Sequence, residues 1–206
     1  MNPAQQLAEG IGELGLSVAQ EAQKQLLAYL ELIAKWNRVH NLTAIRDIPA
    51  MVSAHLLDSL SVAPHLSAEN MLDVGSGGGF PGIPLAMIWP GSQITLLDSN
   101  QKKTAFLQQA KIELELKNLT VVCERAESWQ TADRFDLVIS RAFSDLPEFI
   151  KVAGRFCKAG GTLAAMKGVH SREEIARLPA GAVVRDVISL RVPGLNAERH
   201  LVLINP

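Results

Sequence analysis

The spacing of apolar residues changes near residue 70, and this change separates a helical part of the chain from a strand-rich part. Between residues 17 and 39, apolar side chains recur every three or four positions, which is the spacing of one face of an amphipathic helix. Ser17 and Gln20 have the spacing of a capping box, so they are predicted to begin this helix. A break is predicted at Asn41-Leu42-Thr43.

A second helix is predicted from about Pro49 to Val62, and Pro64 is expected to end it. His55 and Asp58 are three positions apart, so a regular helix would bring them to one face. Because this helix lies outside the predicted sheet, we expect the two side chains to form a structural hydrogen-bonded pair rather than a catalytic dyad.

From Met71 onward, short runs of β-branched residues and leucine alternate with helix-length segments, which is typical of a parallel, doubly wound sheet. Seven strands are predicted, at residues 71–75, 93–98, 119–124, 135–140, 161–167, 182–191 and 199–204. Only a short connection around Pro193 and Gly194 separates the last two, so they are expected to pair as an antiparallel hairpin at one edge.

Composition indicates a folded α/β protein. The chain has 206 residues, of which 48% are hydrophobic and 20% charged, so it can bury a large core. We expect residues 1–66 to form a helical extension packed on a core at residues 67–206, as one compact unit. No apolar run reaches the roughly 20 residues of a membrane span and the amino terminus lacks signal-peptide features, so a cytoplasmic location is expected.

Charge is unevenly distributed along the chain. The net charge is −1, but residues 1–70 hold 4 basic against 7 acidic residues, whereas residues 71–206 hold 16 against 14. A polyanion would therefore bind at a local basic patch. Cys123 and Cys157 lack the spacing of metal ligands or of a disulfide framework, so both are expected to be reduced and buried, and no metal site is predicted.

The strongest chemical signal is a glycine-rich turn after the first predicted strand. The segment Met71–Gly82 is an apolar run that carries an acid and then breaks into glycines, which let the backbone approach a nucleotide-like ligand closely. The second predicted strand ends in Asp98, where a carboxylate can accept hydrogen bonds from ribose hydroxyls. The two strand ends together predict a nucleoside pocket.

The glycines fit both the GxGxG and the GxGxxG spacing, so the spacing alone does not identify the ligand. The only tyrosine, Tyr29, lies outside the predicted sheet, which leaves a nicotinamide-dependent oxidoreductase without a Tyr/Lys proton relay. No Lys-Ser/Thr pair follows the glycines, which argues against a kinase or NTPase. The S-adenosylmethionine-dependent methyltransferases remain, and their sheets also end in an antiparallel hairpin.

Three alternatives stay open at this point. The first is a methyltransferase that acts on a small molecule or a protein, with the N-terminal helices as a lid. The second is a dinucleotide-binding oxidoreductase. The third is a non-catalytic RNA-binding module that keeps a vestigial pocket.

Eight ordered segments carry a more specific pattern. They are Lys35–Thr43, His55–Leu60, Asp73–Pro84, Leu97–Ser99, Arg125–Glu127, Ser140–Ala142, Met166–Gly168 and Glu198–Val202. These segments closely resemble the glucose-inhibited division protein B family, the ribosomal RNA small subunit methyltransferases G. The resemblance spans almost the whole chain and implies a Rossmann-like class I methyltransferase fold: a seven-stranded, mostly parallel sheet with a terminal antiparallel hairpin and N-terminal helices.

The resemblance also implies a reaction. Members of the family transfer a methyl group from S-adenosylmethionine to N7 of one guanosine in 16S rRNA. The expected partner is therefore 16S rRNA within the small ribosomal subunit, and the expected cofactor is S-adenosylmethionine. We expect a monomer, and weak binding to naked RNA because the chain carries little positive charge.

The residues that the resemblance implies for cofactor binding are Asp73, Gly75, Gly77, Gly79, Phe80, Asp98, Ala126, Glu127 and Arg141. Among them, Asp98 would hold the ribose and Phe80 would close over the cofactor. Asp73 would face the cationic end of the cofactor or, alternatively, tie down the following loop. Ala126 and Glu127 would contact the adenine, although Glu127 is also a candidate carboxylate at a helix N-terminus.

Arg141, at the end of the fourth predicted strand, is the candidate catalytic residue, and its expected contribution is to orient the reactants. An arginine forked onto guanine would cover N7, the atom to be methylated, so Arg141 is assigned to the cofactor or to a phosphate. The alternative is a salt bridge to an acid such as Asp145. N7 presents a lone pair without deprotonation, so alignment of the reactants is expected to suffice for catalysis. A thiolate mechanism is disfavoured because Cys123 is predicted inside a strand.

RNA contacts are predicted around the mouth of the pocket, at Arg46, Lys102, Lys103, Phe143, Lys167, Arg199 and His200. Phe143 is the candidate platform for stacking a base near Arg141, or alternatively it fills the core. Arg199 and His200 are also candidates for clamping the terminal hairpin. Thr104 departs from the family pattern, which usually has another basic residue there, and the departure puts in doubt only a phosphate contact.

Overall fold

Seven strands form one mixed sheet in a computed structural model that describes residues 2–141, 143, 145–168 and 172–205. The strands are β1 (Asn70–Val74), β2 (Gln93–Asp98), β3 (Leu119–Cys123), β4 (Phe135–Ser140), β5 (Cys157–Lys167), β6 (Val183–Ser189) and β7 (His200–Asn205). Their spatial order is β3-β2-β1-β4-β5-β7-β6. The first five are parallel, whereas β7 is antiparallel to both β5 and β6. The predicted fold class and its terminal hairpin are confirmed.

Burial on both faces explains why the central strands are short apolar runs. In β1, Met71 packs into a core on one face of the sheet, while Leu72 and Val74 pack into a second core on the other face. A strand covered by helices on both faces needs no polar alternation. The edge strand β6 is more exposed, and its Val183 is one of the few large apolar side chains that face solvent.

The helices are α1 (Pro3–Glu13), α2 (Gln20–His40), α3 (Ile48–Met51), α4 (Asp58–Leu60), α5 (Gly82–Ile88), α6 (Gln101–Glu113), α7 (Leu146–Ala153) and α8 (Arg172–Ala176). Residues of α1, α2, α5 and α6 share the first core, and residues of α7 belong to the second. None of the helices in the described ranges combines the length and apolar character that crossing a bilayer requires.

Helix α2 confirms the predicted amphipathic segment, but the predicted capping box is wrong. The N-cap is Ala19, which has no side chain able to cap, so Ser17 lies two residues too early. Gln23 instead donates a side-chain hydrogen bond to the Val18 carbonyl at 2.9 Å. The helix ends where predicted, because Asn41 has a φ of 42° and adopts the left-handed conformation that terminates helices.

Helix α1 was not predicted. Asn2 caps it by accepting a hydrogen bond from the backbone N–H of Ala4, and Pro3 occupies its first turn. Gly10 is buried in this helix, and a Cβ there would lie 2.4 Å from Cδ1 of Leu57. The two glycines of the segment weaken the helical signal in the sequence, yet one of them is needed for this close packing.

The predicted second helix is interrupted in its middle. A π-helical segment, Val52–Leu57, joins α3 to α4, and a 3₁₀ turn at Ala63–His65 contains Pro64. A π-helix has more residues per turn than an α-helix, so side chains three apart no longer share a face as predicted. This change decides where His55 and Asp58 point.

The prediction for the cysteines is partly wrong. Cys123 is exposed, because it is the last residue of β3 at the edge of the sheet. Cys157 is half-buried, and its burial raises the pKa of its thiol to about 11. Both are free thiols.

Candidate cofactor and substrate site

The glycine turn follows β1 directly and is held by its neighbours through the backbone. Gly75, Gly77 and Gly79 have φ values of 71°, 58° and 91°, which residues other than glycine adopt only under strain. A Cβ at Gly77 would meet only the Gly75 carbonyl oxygen at 3.8 Å and Nζ of Lys103 at 3.9 Å. At Gly77 the turn therefore presents open backbone at the carboxyl end of β1.

Asp98, at the end of β2, holds the turn in place. Its Oδ2 accepts a hydrogen bond from the Gly77 N–H at 2.8 Å, and its Oδ1 accepts one from the Asn100 N–H at 2.8 Å. Each carboxylate oxygen has a further lone pair, and the side chain is half-buried. Asp98 can thus still accept hydrogen bonds from hydroxyl groups of a ligand.

Asp73 lies beneath the turn and has no solvent exposure. Its Oδ2 accepts a hydrogen bond from the Gly82 N–H at 2.9 Å, while its Oδ1 has no hydrogen-bond partner in the described part of the protein. Burial raises the pKa of this carboxyl to about 8, and the Gly82 N–H and the charge of Arg141 act in the opposite direction. The hydrogen bond to Gly82 ties Asp73 to the start of α5, as expected if Asp73 tethers the loop after β1. Its second oxygen is left for another partner.

Tyr29 is a site residue that the sequence analysis did not find. It lies on α2, is fully buried, and donates a hydrogen bond from its hydroxyl to the Gly78 carbonyl. A Cβ at Gly79 would lie 2.7 Å from that hydroxyl. Burial raises the pKa of Tyr29 well above its usual value, so the hydroxyl keeps its proton and remains a donor. Sequence reasoning considered tyrosine only as a proton relay within the sheet.

Asp58 links two arginines from different parts of the sheet. Its Oδ2 accepts a hydrogen bond from Nη1 of Arg141 at 3.0 Å, and its Oδ1 accepts one from Nε of Arg199 at 2.9 Å. The Asp58 side chain is only 2% exposed. The acid that pairs with Arg141 is therefore Asp58, and Asp145, suggested from the sequence, pairs instead with Arg177 at 3.0 Å.

His55 does not pair with Asp58, so that prediction is wrong. Its Nε2 lies 2.8 Å from Oγ1 of Thr43, and its Nδ1 lies 3.1 Å from the Ala54 carbonyl. Burial, helped by the charge of Arg141, lowers the pKa of His55 to about 4, so the ring is neutral near pH 7. The carbonyl can only accept, which assigns the proton to Nδ1 and leaves Nε2 as acceptor for Thr43. Both nitrogens are thus engaged.

Phe80 packs among His55, Arg141 and Tyr29, and it is 4% exposed. The His55 ring stacks on it at a centroid distance of 4.6 Å, and the Arg141 guanidinium lies 5.0 Å from its centroid. Tyr29 packs against the same ring at 5.4 Å. Phe80 therefore fixes Arg141 beside the glycine turn.

Three adjoining cavities follow the carboxyl ends of the strands. The Asp98 cavity, of about 160 Å³, is lined by Val74, Gly75, Leu97, Asp98, Ser99, Glu124, Arg125, Ala126, Glu127 and Phe143. The glycine-turn cavity, of about 240 Å³, is lined by Leu42, Thr43, His55, Gly75, Ser76, Gly77, Gly78, Phe80, Lys103 and Arg141. The Arg141 cavity, of about 390 Å³, is lined by Ile45, Ala54, His55, Asp58, Arg141, Met166, Lys167, Gly168 and Arg199. Gly75 is common to the first two, and His55 and Arg141 are common to the last two.

Comparison with known proteins identifies the family. The family model described as GidB, rRNA small subunit methyltransferase G, matches residues 22–202. The chain belongs to this family. It is 53% identical to the ribosomal RNA small subunit methyltransferase G of Nitrosospira multiformis over 99% of this chain and 98% of that one. It is also 53% identical to the protein of that name from Laribacter hongkongensis, over 98% of both chains.

Solved structures share the fold of this family member at low sequence identity. A S-adenosylmethionine-dependent methyltransferase from Aquifex aeolicus matches with a TM-score of 0.63 and 19% identity, covering 84% of this chain and 98% of that one. TrmN from Thermus thermophilus matches with a TM-score of 0.58 and 17% identity, covering 82% of this chain and 52% of that one. The fold is that of Rossmann-like methyltransferases.

The residues assigned to the cofactor from the family resemblance lie mostly around the first two cavities. Ala126 and Glu127 line the Asp98 cavity, in a segment between β3 and β4 that contains no helix. The alternative reading of Glu127 as a helix N-terminal carboxylate is therefore wrong. Phe143 also lines the Asp98 cavity, and its ring packs on that of Phe149 with 5.3 Å between the centroids. Phe143 does not line the Arg141 cavity. Ala142, which completes the Ser140 motif, lies outside the described residues.

Among the residues predicted to bind RNA, Lys103 lines the glycine-turn cavity, and Lys167 and Arg199 line the Arg141 cavity. Arg46 donates hydrogen bonds to the Asn37 carbonyl and to Oδ1 of Asn41, which closes the end of α2. Lys102 is exposed at the start of α6, and the neighbouring Lys103 lines the glycine-turn cavity. Their roles toward RNA stay predictions.

Two of the predicted RNA-binding residues lie at the start of β7 and the end of β5. Lys167 lines the Arg141 cavity and forms a salt bridge of 3.0 Å with Glu174 of α8. Nδ1 of His200 lies 3.2 Å from the Gly168 carbonyl, across the β5–β7 pairing. Thr104, the departure from the family pattern, is buried and donates its hydroxyl within the first turn of α6. A phosphate contact at Thr104 is thus not supported.

Proposed function

We propose that the Asp98 and glycine-turn cavities bind S-adenosylmethionine and that the Arg141 cavity receives a guanine of 16S rRNA, whose N7 accepts the methyl group. The observation that supports this arrangement best is that Arg141 and His55 line both the glycine-turn cavity and the Arg141 cavity. The two reactants would meet where these cavities adjoin. As a member of its family, the protein is an S-adenosylmethionine-dependent rRNA methyltransferase.

The residues present fit the cofactor. Gly77 offers open backbone for its amino acid part, and Asp98 keeps lone pairs for two ribose hydroxyls. Asp73 adds a buried carboxyl oxygen that has no partner among the described residues, below the same turn. When bound, S-adenosylmethionine supplies an electrophilic methyl group on a sulfonium.

The Arg141 cavity contains no free general base among its described residues. The Asp58 carboxylate is bound by two arginines, and His55 is neutral with both ring nitrogens engaged. Guanine N7 carries an available lone pair, so its reaction needs no base. The chemistry of the cavity therefore agrees with attack by N7, and the contribution of the protein is the orientation of the reactants.

The arginines supply this orientation. Asp58 holds one guanidinium nitrogen of Arg141 and one of Arg199, and each guanidinium has further N–H groups that can bind a phosphate or a carboxylate. We assign Arg141 to the cofactor or to a phosphate of the RNA, since a fork on the guanine would cover N7. Lys167 and Arg199 are assigned to the RNA backbone.

We also propose how the protein acts as a whole. Residues 1–66 belong to the same folding unit as residues 67–206, because their helices share the first core with the sheet and line two of the cavities. A cytoplasmic monomer that acts on the small ribosomal subunit, and binds naked RNA weakly, accords with the net charge of −1.

Methyl transfer to small ribosomal subunits tests the proposal. Purified protein is incubated with S-adenosylmethionine labelled in its methyl group, and the label in 16S rRNA is counted. We expect label with the wild type and with Asp133→Asn, an exposed control outside the three cavities, and a loss of roughly 10-fold or more with Asp98→Asn. The absence of label with folded wild-type protein would contradict the proposal.

A further inference from the structure

Arg155 forms side-chain hydrogen bonds to the backbone of the segment that follows β3. Its Nη2 donates hydrogen bonds to two carbonyl groups of this segment, those of Ala126 at 2.6 Å and Trp129 at 2.8 Å. Both are bonds from a charged donor, which are stronger than those between neutral groups. Arg155 lies in the 3₁₀ turn Gly154–Phe156 just before β5, far along the chain from its two partners.

Apart from the bonds of Arg155, the start of the segment is attached to the sheet by the Glu124 N–H, which donates to the Asp98 carbonyl at 3.2 Å, and the bonds that follow are local. The N–H groups of Ser128 and Trp129 both donate to the Arg125 carbonyl, which closes a single turn but does not attach it to the sheet. The Trp129 ring packs on Phe156 at 5.2 Å, and the Arg155 guanidinium lies 4.6 Å from the centroid of that same phenylalanine ring. The ring contacts and the two hydrogen bonds thus fix the turn at one place over the sheet.

This turn forms a wall of the Asp98 cavity. Arg125, Ala126 and Glu127 line that cavity together with Asp98, and the Ala126 carbonyl is one of the two groups that Arg155 binds. Arg155 is not among the residues that line the cavity. Any effect of Arg155 on a ligand must therefore pass through the backbone of the turn.

We infer that Arg155 is a positioning residue, which fixes the turn at residues 124–129 so that the Asp98 cavity is preformed for the adenosine part of the cofactor. The inference rests on the proposed function, because it assumes that S-adenosylmethionine binds there. A lysine has a single nitrogen on a flexible stem and lacks the planar guanidinium that packs on Phe156, so it replaces Arg155 only in part.

Arg134 offers a matched control on the same segment. Its Nη1 also donates hydrogen bonds to two backbone carbonyls, those of Thr131 at 3.2 Å and Asp133 at 2.9 Å. These residues follow the turn and do not line the Asp98 cavity. Arg134→Met and Arg155→Met therefore remove the same kind of side chain and the same kind of bonds, and differ in whether the bonded backbone borders the cavity.

Titration calorimetry with S-adenosylhomocysteine measures the effect directly. We expect Arg155→Met to raise the Kd roughly 10-fold, Arg155→Lys to raise it less, and Arg134→Met to leave it within about 2-fold of wild type. In methyl transfer, Arg155→Met is expected to raise the KM for S-adenosylmethionine while the KM for ribosomal subunits and kcat at saturation stay unchanged. A merely structural role would not produce this split.

The possible failures are distinguishable. If the wild type binds S-adenosylhomocysteine and both methionine variants bind equally well, or are weakened equally, the inference about Arg155 is overturned. If Arg155→Met does not fold, as judged by its thermal unfolding, the comparison of Arg155→Lys with Arg134→Lys decides in the same way. If the folded wild type itself does not bind the probe, the proposed function is what fails.

Discussion

At the scale of single residues, the shape of the Arg141 cavity depends on Asp58, which is buried between two arginines. Asp58→Asn removes the charge and leaves only one oxygen to accept, so one guanidinium loses its partner. We expect methyl transfer to fall roughly 10- to 100-fold, because misplaced orienting groups reduce rates by such factors. The free energy of unfolding is expected to decrease by about 1–3 kcal/mol, as measured by denaturant titration.

Asp145→Asn is the control for this variant. It breaks the more exposed salt bridge to Arg177, whose side chain is 62% exposed, while asparagine can still cap α7. We expect its stability to stay within about 0.5 kcal/mol of wild type, and its activity to be unaffected. Equal effects of the two substitutions would mean that Asp58 has no special part in the cavity.

Tyr29→Phe isolates the hydroxyl that holds the glycine turn. The phenyl ring keeps its packing against Phe80 and Phe106, while the buried Gly78 carbonyl loses its donor. We expect a loss of stability of about 1–3 kcal/mol and weaker binding of S-adenosylmethionine by calorimetry. Unchanged affinity would show that the turn keeps its conformation without this hydrogen bond.

The buried carboxyl of Asp73 predicts how stability depends on pH without cofactor. Its pKa rises from 3.8 to about 8 on folding, so the folded protein holds a proton that the unfolded chain releases, and stability falls as the pH rises through this interval. His55 acts oppositely: its pKa falls from 6.5 to about 4, so stability is lost as the pH drops below 6.5.

Between pH 6.5 and 8 the effect of Asp73 is separated from that of His55. We expect the free energy of unfolding of the wild type to decrease by about 1 kcal/mol per pH unit there, and the Asp73→Asn variant to lose this slope. Asp133→Asn, on the surface, is expected to keep it. A slope that persists in Asp73→Asn would mean that another group titrates.

At the scale of elements, the close contact between α1 and the π-helical segment can be tested at two glycines. Gly10→Ala would place a Cβ 2.4 Å from the buried Leu57, whereas a Cβ at Gly12 in the same helix would have no atom of the described residues within 4 Å. We expect Gly10→Ala to destabilise the protein by about 1–3 kcal/mol. Gly12→Ala is expected to stabilise it by about 0.5 kcal/mol, because alanine favours helices. Thermal unfolding of both variants is the measurement, and equal shifts would contradict the packing.

The central strands could be predicted from the sequence because they are short apolar runs covered on both faces, as β1 and β4 show. Helix α1 escaped prediction since its stability comes from tertiary packing of Leu7 and Ile11 rather than from local propensity. The π-helical segment also could not be predicted from the spacing of apolar residues. It places His55 against Thr43 and Asp58 between Arg141 and Arg199.

Site residues were also predictable to different degrees, because some depend on a local sequence pattern and others on tertiary contacts. The glycine turn and Asp98 follow directly from strand ends, which is a local signal. Tyr29 and Arg155 donate hydrogen bonds from distant elements to the carbonyls of Gly78 and Ala126, so only the folded chain brings them to the backbone that borders the cavities. Long-range contacts of this kind leave no mark in the local sequence pattern.

At the scale of the whole molecule, helices from the N-terminal part and strands from the rest share one core and one cleft. The π-helical segment supplies His55 and leads into Asp58. Arg141 follows β4, Lys167 ends β5, and Arg199 directly precedes β7. The net charge of −1 predicts that a polyanion binds at a local basic patch, and under the proposed function that patch lies in this cleft.

The identity of the methylated base tests the central claim most directly. Small ribosomal subunits that lack the modification are incubated with the protein and S-adenosylmethionine, and the nucleosides of the digested 16S rRNA are analysed by mass spectrometry. We expect one N7-methylguanosine per 16S rRNA, formed roughly 10-fold or more slowly by Asp98→Asn. Methylation at a carbon atom, on a ribose or on a base other than guanine would contradict a cleft that only aligns N7 with the methyl donor.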